Sequence, residues 1–133
     1  MIKVYTDGSC LKNPDGPGGF AFVIIFDSGE EWHYSEGDKS TTNNRMELKA
    51  VIESLKFLDK GTECKIFSDS KLVINCASNI WKRKANLDLW KEYEIASEGI
   101  KIQFEWVKGH SNNKYNDIVD KMALKEAREI QNS

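Results

Sequence analysis

The sequence predicts one α/β domain built on a five-stranded mixed sheet, three strands antiparallel and two parallel, with helices on both faces. Three features point to it. Short strand-like runs near the N-terminus are separated by segments rich in Gly, Pro and Asp, as in a meander. A helical stripe follows them, and after it strand-like and helical segments alternate. Helices that connect strands of one sheet demand right-handed crossovers and parallel pairing.

Ile2 and Val4 alternate with Lys3 and Tyr5, the pattern of a half-buried strand. Residues 20–26 form a continuous apolar run, and residues 31–35 a shorter strand with Trp32 and Tyr34 on one face. From 44 to 58, Leu48, Val51, Ile52, Leu55 and Leu58 recur at three- and four-residue spacing, which sets one apolar face on a helix of about four turns. Residues 65–68 predict a strand, 70–77 and 87–96 helices, 100–107 a strand and 115–130 a last helix. Trp90 and Trp106 fall in patterns that predict core packing.

The chain has 133 residues, 40% hydrophobic and 30% charged, which suits a single soluble domain over residues 1–133. The first strand begins at Ile2, without room for a leader, and no run approaches the roughly 18 apolar residues of a membrane helix. A cytoplasmic protein acting as a monomer, with no membrane partner, is expected. Cys10, Cys64 and Cys76 are odd in number and lack CxxC spacing, so they read as reduced thiols. A net charge of −2 excludes bulk attraction to nucleic acid, which needs excess Lys and Arg. Charge is unevenly spread, however. Asp27, Glu30, Glu31, Glu36 and Asp38 make the second hairpin acidic, whereas Lys82, Arg83 and Lys84 follow Trp81 with no acid before Asp88.

Acidic residues at element ends are the candidates for chemistry. Asp7 lies in Tyr5-Thr6-Asp7-Gly8-Ser9, Glu47 in Thr41-Thr42-Asn43-Asn44-Arg45-Met46-Glu47-Leu48, and Asp69 in Phe67-Ser68-Asp69-Ser70. Asp117 and Asp120 lie in the string from Asn116 to Ala123. Each has a structural reading: turn or cap chemistry for Asp7 and Asp69, a capping box from Asn44 to Glu47, and macrodipole compensation for Asp117 and Asp120. Asp7 and Asp69 fall at the carboxyl ends of strands that would be parallel neighbours, where open α/β sheets bind ligands. Glu47, in a first helical turn, and an acid of the last helix can face the same edge. Crowded carboxylates repel unless a cation neutralises them, and all-oxygen ligation favours Mg²⁺ or Mn²⁺ over zinc.

With Trp106-Val107-Lys108-Gly109-His110 between the third and fourth, these strings resemble type 1 ribonuclease H, in the same order, over nearly the whole chain. The resemblance implies a ribonuclease H-like fold and an endonuclease that hydrolyses the RNA strand of an RNA–DNA hybrid, leaving 5′-phosphate and 3′-hydroxyl ends. It selects Asp120 over Asp117. It implies two Mg²⁺ ions, replaceable by Mn²⁺, with Asp7 bridging them and Glu47, Asp69 and Asp120 completing their shells. His110 would assist proton transfer and product departure. Gly8, Ser9 and Asn13 would lie along the RNA strand, and Thr42, Asn43 and Asn44 would grip phosphate and read the hybrid minor groove. Trp81, Lys82, Arg83 and Lys84 would meet the DNA strand, in place of the Lys-rich handle of longer bacterial members; only residues 80–85 remain here, as in archaeal-type and retroviral forms. Asp15 is an extra residue in the family's Asn-Pro-Gly-Pro-Gly-Gly run. A resolvase or exonuclease of the same broad fold would lack the Thr42–Glu47 and Val107–His110 strings together, and an idle hybrid-binding module would have lost one of the acids.

Overall fold

Alternate residues of a strand point to opposite faces of its sheet, and here the two sets meet different helices. The computed structural model describes residues 1–109 and 113–133. Strands β1 (Ile2–Cys10), β2 (Gly16–Ile25), β3 (Glu31–Thr41), β4 (Glu63–Ser68) and β5 (Lys101–Trp106) form one sheet in the order β3-β2-β1-β4-β5. β1 pairs antiparallel with β2, and β2 with β3; β1 pairs parallel with β4, and β4 with β5. The expected mixed sheet is therefore present.

On one face Val4, Phe20, Phe22, Ile24 and Ile66 pack against Leu48, Val51, Ile52 and Leu55 of α1 (Asn43–Leu55). Val73 and Cys76 of α2 (Lys71–Ala77) and Leu89, Trp90 and Tyr93 of α3 (Leu87–Ser97) complete that core. On the other face Tyr5, Ala21, Val23 and Phe67 meet Val119 and Ala123 of α4 (Lys114–Gln131). Each fully buried large apolar side chain contributes roughly 1.5–3 kcal/mol. Among the described residues no helix is long and apolar enough to cross a membrane.

The strands are longer than their apolar patterns. β1 runs past Asp7 because Gly8, Ser9 and Cys10 keep pairing with Phe20, Gly19 and Gly18 of β2, so Asp7 lies within a strand rather than at its end. Only the parallel pairing with β4 stops short, at Tyr5 opposite Phe67. Gly16 to Gly19 belong to β2, not to a loop. A Cβ on Gly19 would sit 2.4 Å from the Ala123 carbonyl oxygen, so this glycine admits α4 against the sheet. The left-handed position in the preceding turn falls on the extra residue, Asp15, at φ 65°.

The capping-box reading of Glu47 is overturned. Thr42 is the N-cap of α1, its side chain accepting from the Arg45 N–H at 3.2 Å, which places Glu47 in the second turn, buried toward β1. Trp106 also departs from expectation: it is 44% exposed, at the last position of the edge strand β5.

Candidate active site

Three carboxylates converge where α1 crosses β1 beside the end of β4. Asp7 is buried in β1, Glu47 is buried in α1, and Asp69 is half-buried in the bend after β4. One oxygen from each lies within 4.8 Å of the others. Gly8 makes the approach possible, since a Cβ there would stand 2.3 Å from the Glu47 nitrogen and 2.4 Å from the Met46 carbonyl carbon. Its N–H donates both to Asp7 Oδ1 at 2.9 Å and to Glu47 Oε1 at 2.6 Å. One backbone amide thus orients two acids.

Burial pushes the Asp7 carboxyl up to about 7; the Asp69 charge and the nearby Asp120 carboxyl add to the rise, while the adjoining Glu47 carboxyl opposes it. Glu47 is raised well above the usual carboxylate range, first by burial and then by Asp7 and Asp69. Asp120, half-buried in α4 on the sheet face away from α1, is near enough to Asp7 to raise its pKa but is not one of the three mutually close acids. No Lys or Arg forms an ion pair with these acids among the described residues.

The donor set fits a hard divalent cation. Glu47 Oε2 is buried without a hydrogen-bond partner, an arrangement that costs several kcal/mol if the carboxylate is charged and unmatched. A cation accounts for that oxygen and for the uncompensated charge of its neighbours. Asp7, Glu47 and Asp69 would hold it, with Asp120 adjoining.

The other expected contacts divide into groups. Asn13 and Asn43 are exposed and joined, the Asn43 N–H donating to Asn13 Oδ1 at 3.2 Å, so the β1–β2 turn and the start of α1 form one rim. Gly8 and Ser9 are half-buried and Asn44 is exposed; Thr42 is half-buried, with its oxygen engaged in the cap. Trp81 is 47% exposed, and Lys82 and Lys84 are exposed without ion pairs among the described residues. Arg83 differs from its neighbours. Its guanidinium stacks over Trp90 at 4.4 Å, donates to the Cys76 carbonyl at 3.0 Å and pairs with Glu94, so it closes the core edge instead of facing outward. His110 lies outside the described residues.

Two further residues were not singled out by sequence. Arg45 donates bidentately to Asp88 at 3.0 and 2.8 Å and to Asn86 Oδ1 at 3.2 Å, which ties the start of α1 to the start of α3. Asn86 sits at φ 58° with no side-chain cap bond, so its amide is held by Arg45 rather than spent on the helix. Asn44, Lys82, Lys84 and Asn86 consequently line one groove. The only sequence signal was Arg45 within the string that holds Glu47.

A mixed sheet carrying buried carboxylates at a helix crossing is an arrangement that could hold a divalent cation, and the groove that starts at Asn44 and Leu48 of the same helix has Lys82, Lys84 and Asn86 around an apolar floor of Leu72, Val73 and Trp90. Comparison with known proteins narrows the class. The profile of the RNase H family matches residues 1–128, and the chain belongs to that family. It is 39% identical over 142 residues to a ribonuclease H of Thermoanaerobacter sp. (strain X514), covering 96% of this chain and 90% of that one. The crystal structure of LC9-RNase H1, a type 1 RNase H, superposes with a TM-score of 0.79 at 30% identity, over 96% of this chain and 72% of that one. LC11-RNase H1, solved in complex with an RNA/DNA hybrid, shares the fold with a TM-score of 0.81 at 21% identity, over 98% and 99% of the two chains.

Proposed function

We propose that the protein is a metal-dependent ribonuclease H that cuts the RNA strand of RNA–DNA hybrids to give 5′-phosphate and 3′-hydroxyl ends. The observation that carries this is the buried trio Asp7, Glu47 and Asp69 with an unpartnered Glu47 oxygen, in a chain of the RNase H family. Asp7, Glu47, Asp69 and Asp120 would hold two Mg²⁺ ions, with Mn²⁺ able to replace them. Bound there, divalent ions supply Lewis acidity, lowering the pKa of a water and offsetting charge on the leaving oxygen.

The chain's own groups do the rest. Gly8 fixes the two buried carboxylates by its amide. Gly8, Ser9, Asn13, Thr42, Asn43 and Asn44 would line the path of the RNA strand, a reading that the Asn13–Asn43 contact between the β1–β2 turn and the start of α1 supports, and the 2′-hydroxyl is the group that would separate RNA from DNA there. Trp81, Lys82 and Lys84 would meet the DNA strand, whereas Arg83 supports Trp90 beneath them. His110 would move a proton at the leaving or attacking oxygen. One domain, residues 1–133, acting as a monomer away from membranes suffices for this.

The test is direct. Labelled RNA–DNA hybrid, duplex RNA and duplex DNA are incubated with the protein in Mg²⁺, Mn²⁺ or EDTA. Cleavage of the RNA strand of the hybrid alone, with a divalent ion required, is expected; cutting of duplex DNA, or tight hybrid binding without turnover, overturns the reading.

Two variants probe its parts. Lys82→Ala combined with Lys84→Ala should raise KM several-fold with little change in kcat and reduce the log–log salt slope by about two, near 0.9 per lost phosphate contact. An unchanged slope would place both lysines away from substrate. His110→Ala should lower kcat by roughly 10- to 1,000-fold and leave hybrid affinity and divalent-ion binding intact. Rates identical to wild type across pH would remove His110 from the reaction.

A further inference from the structure

An exposed tryptophan at the end of an edge strand is not there to fill a core, and Trp106 makes one specific polar contact. Its indole N–H donates to the Asp69 carbonyl oxygen at 3.1 Å. The opposite bonding capacity around this bend is already engaged. The Ser68 carbonyl accepts from the Val107 N–H at 2.9 Å, and the Ser70 N–H donates to Ser68 Oγ at 3.1 Å. Ser70 in turn caps α2, its hydroxyl oxygen accepting from the Val73 N–H at 3.2 Å. Ser68 and Ser70 are thus fixed by the sheet and the helix, and the peptide between them is fixed by Trp106.

The rest of the ring's surroundings serve the same end. Trp106 is in register with Ser68 across the parallel ladder, so the indole reaches one residue beyond the last strand pair. The Lys71 ammonium lies 4.4 Å from the ring centroid, holding the ring on the first turn of α2. Further along the same segment, a Cβ on Gly109 would be 3.3 Å from Asp69 Oδ2, so the chain leaving β5 also backs the Asp69 carboxylate. Asp69 is the one member of the trio that is neither buried nor fastened by the Gly8 amide. Its place depends on the bend.

We propose that Trp106 is a positioning residue for the metal site: its indole N–H holds the Asp69 peptide so that the carboxylate stays with those of Asp7 and Glu47. It touches no reacting atom. The contact is a single hydrogen bond at a half-exposed position, and one such bond is a small part of a domain's stability, so its loss should loosen the bend without unfolding the domain. The expected signature is a weaker metal site in a stable protein.

This rests on the metal-site reading above, and the experiment separates the two. Mg²⁺ is titrated into wild type, Trp106→Phe and Trp106→Ala without nucleic acid, by calorimetry and by the rise in melting temperature. Trp106→Phe keeps an aromatic face for Lys71 and removes the N–H; it should melt within a few degrees of wild type in EDTA yet need several-fold more Mg²⁺ for half-saturation. Hybrid KM at saturating Mg²⁺ should be unchanged. Replacing Trp106 by benzothienylalanine, which keeps the ring shape and lacks the N–H, should reproduce the Phe result. Unchanged half-saturation in both isosteres, or a shift only in Trp106→Ala, would mean that the ring acts by packing, and the proposal fails. Absence of Mg²⁺ binding by wild type itself would instead defeat the metal-site reading.

Discussion

Asp7→Asn is expected to abolish hybrid cleavage, by a factor above about 1,000, while raising the melting temperature of the protein in EDTA. Both effects come from one crowded site. An amide cannot supply the negative charge that a divalent ion needs, and catalysis that depends on that charge is lost. In the absence of metal, however, Asp7 is a buried carboxyl whose pKa is pushed up to about 7, from an ordinary value of 3.8. A group whose folded pKa lies above its unfolded one binds a proton more tightly in the native state. Its stabilising contribution is therefore complete below about pH 4, falls as pH rises and is gone above about pH 7. At pH 8 the ionised Asp7 costs on the order of 2–4 kcal/mol. Removing it should raise the melting temperature by roughly 7–14 °C at pH 8, and by little at pH 4. Saturating Mg²⁺ should reverse the order at pH 8, since it stabilises the wild type by mass action and the variant less. Thermal melts of both proteins at the two pH values, with and without Mg²⁺, check this. A variant less stable than wild type in EDTA at pH 8 would contradict the repulsive cluster.

Gly8→Ala should be the most damaging single-methyl substitution in the site. Its Cβ would meet the backbone nitrogen of Glu47 and carbonyl carbon of Met46, and backbone atoms in the middle of a helix cannot turn aside as a side-chain tip can. Either α1 lifts off β1 or β1 bows. Overpacking of this kind costs typically 1–3 kcal/mol, and about 3 kcal/mol or more is expected here because both partners are main chain. The shift also moves Glu47 away from Asp7 and Asp69, so Mg²⁺ should stabilise the variant far less than it stabilises wild type. Urea unfolding in EDTA and in Mg²⁺ measures both quantities. A stability loss with full retention of the Mg²⁺ increment would show that Glu47 is not held by this contact.

Much of this was legible in the sequence, for identifiable reasons. The stripe from Leu48 to Leu55 has helical period and packs as one face of α1, while Val4 and Tyr5 alternate between the two cores as β1 requires. Asp7, Glu47 and Asp69 converge because β1, α1 and the end of β4 are neighbours in the sheet topology. Strand ends were not legible. Gly8, Ser9 and Cys10 pair with Phe20, Gly19 and Gly18 as a ladder with no apolar alternation to announce it, and Gly8 and Gly19 leave room for α1 and α4 to approach the sheet. Glu47 stands three residues after Asn44, which mimics a capping box; the true cap is Thr42, and only the packing of α1 on β1 decides between them. Arg83 sits in a basic run but finds Trp90 and Glu94 seven and eleven positions away, across a turn. Trp106 looks like a core residue in its apolar strand, yet β5 is an edge and the ring serves the Asp69 bend.

The central claim is that the carboxylate cluster is the metal site on which hybrid cleavage depends. It is tested most directly by following two quantities against Mg²⁺ concentration at fixed pH and ionic strength: the initial rate on a labelled hybrid, and the melting temperature of the protein. For wild type, both should respond over the same concentration range, and EDTA should reduce the rate to background. In Asp7→Asn the rate should stay at background and the rise in melting temperature should be largely lost. Cleavage that persists in EDTA, or a Mg²⁺-dependent rise in melting temperature equal in the two proteins, would contradict the account.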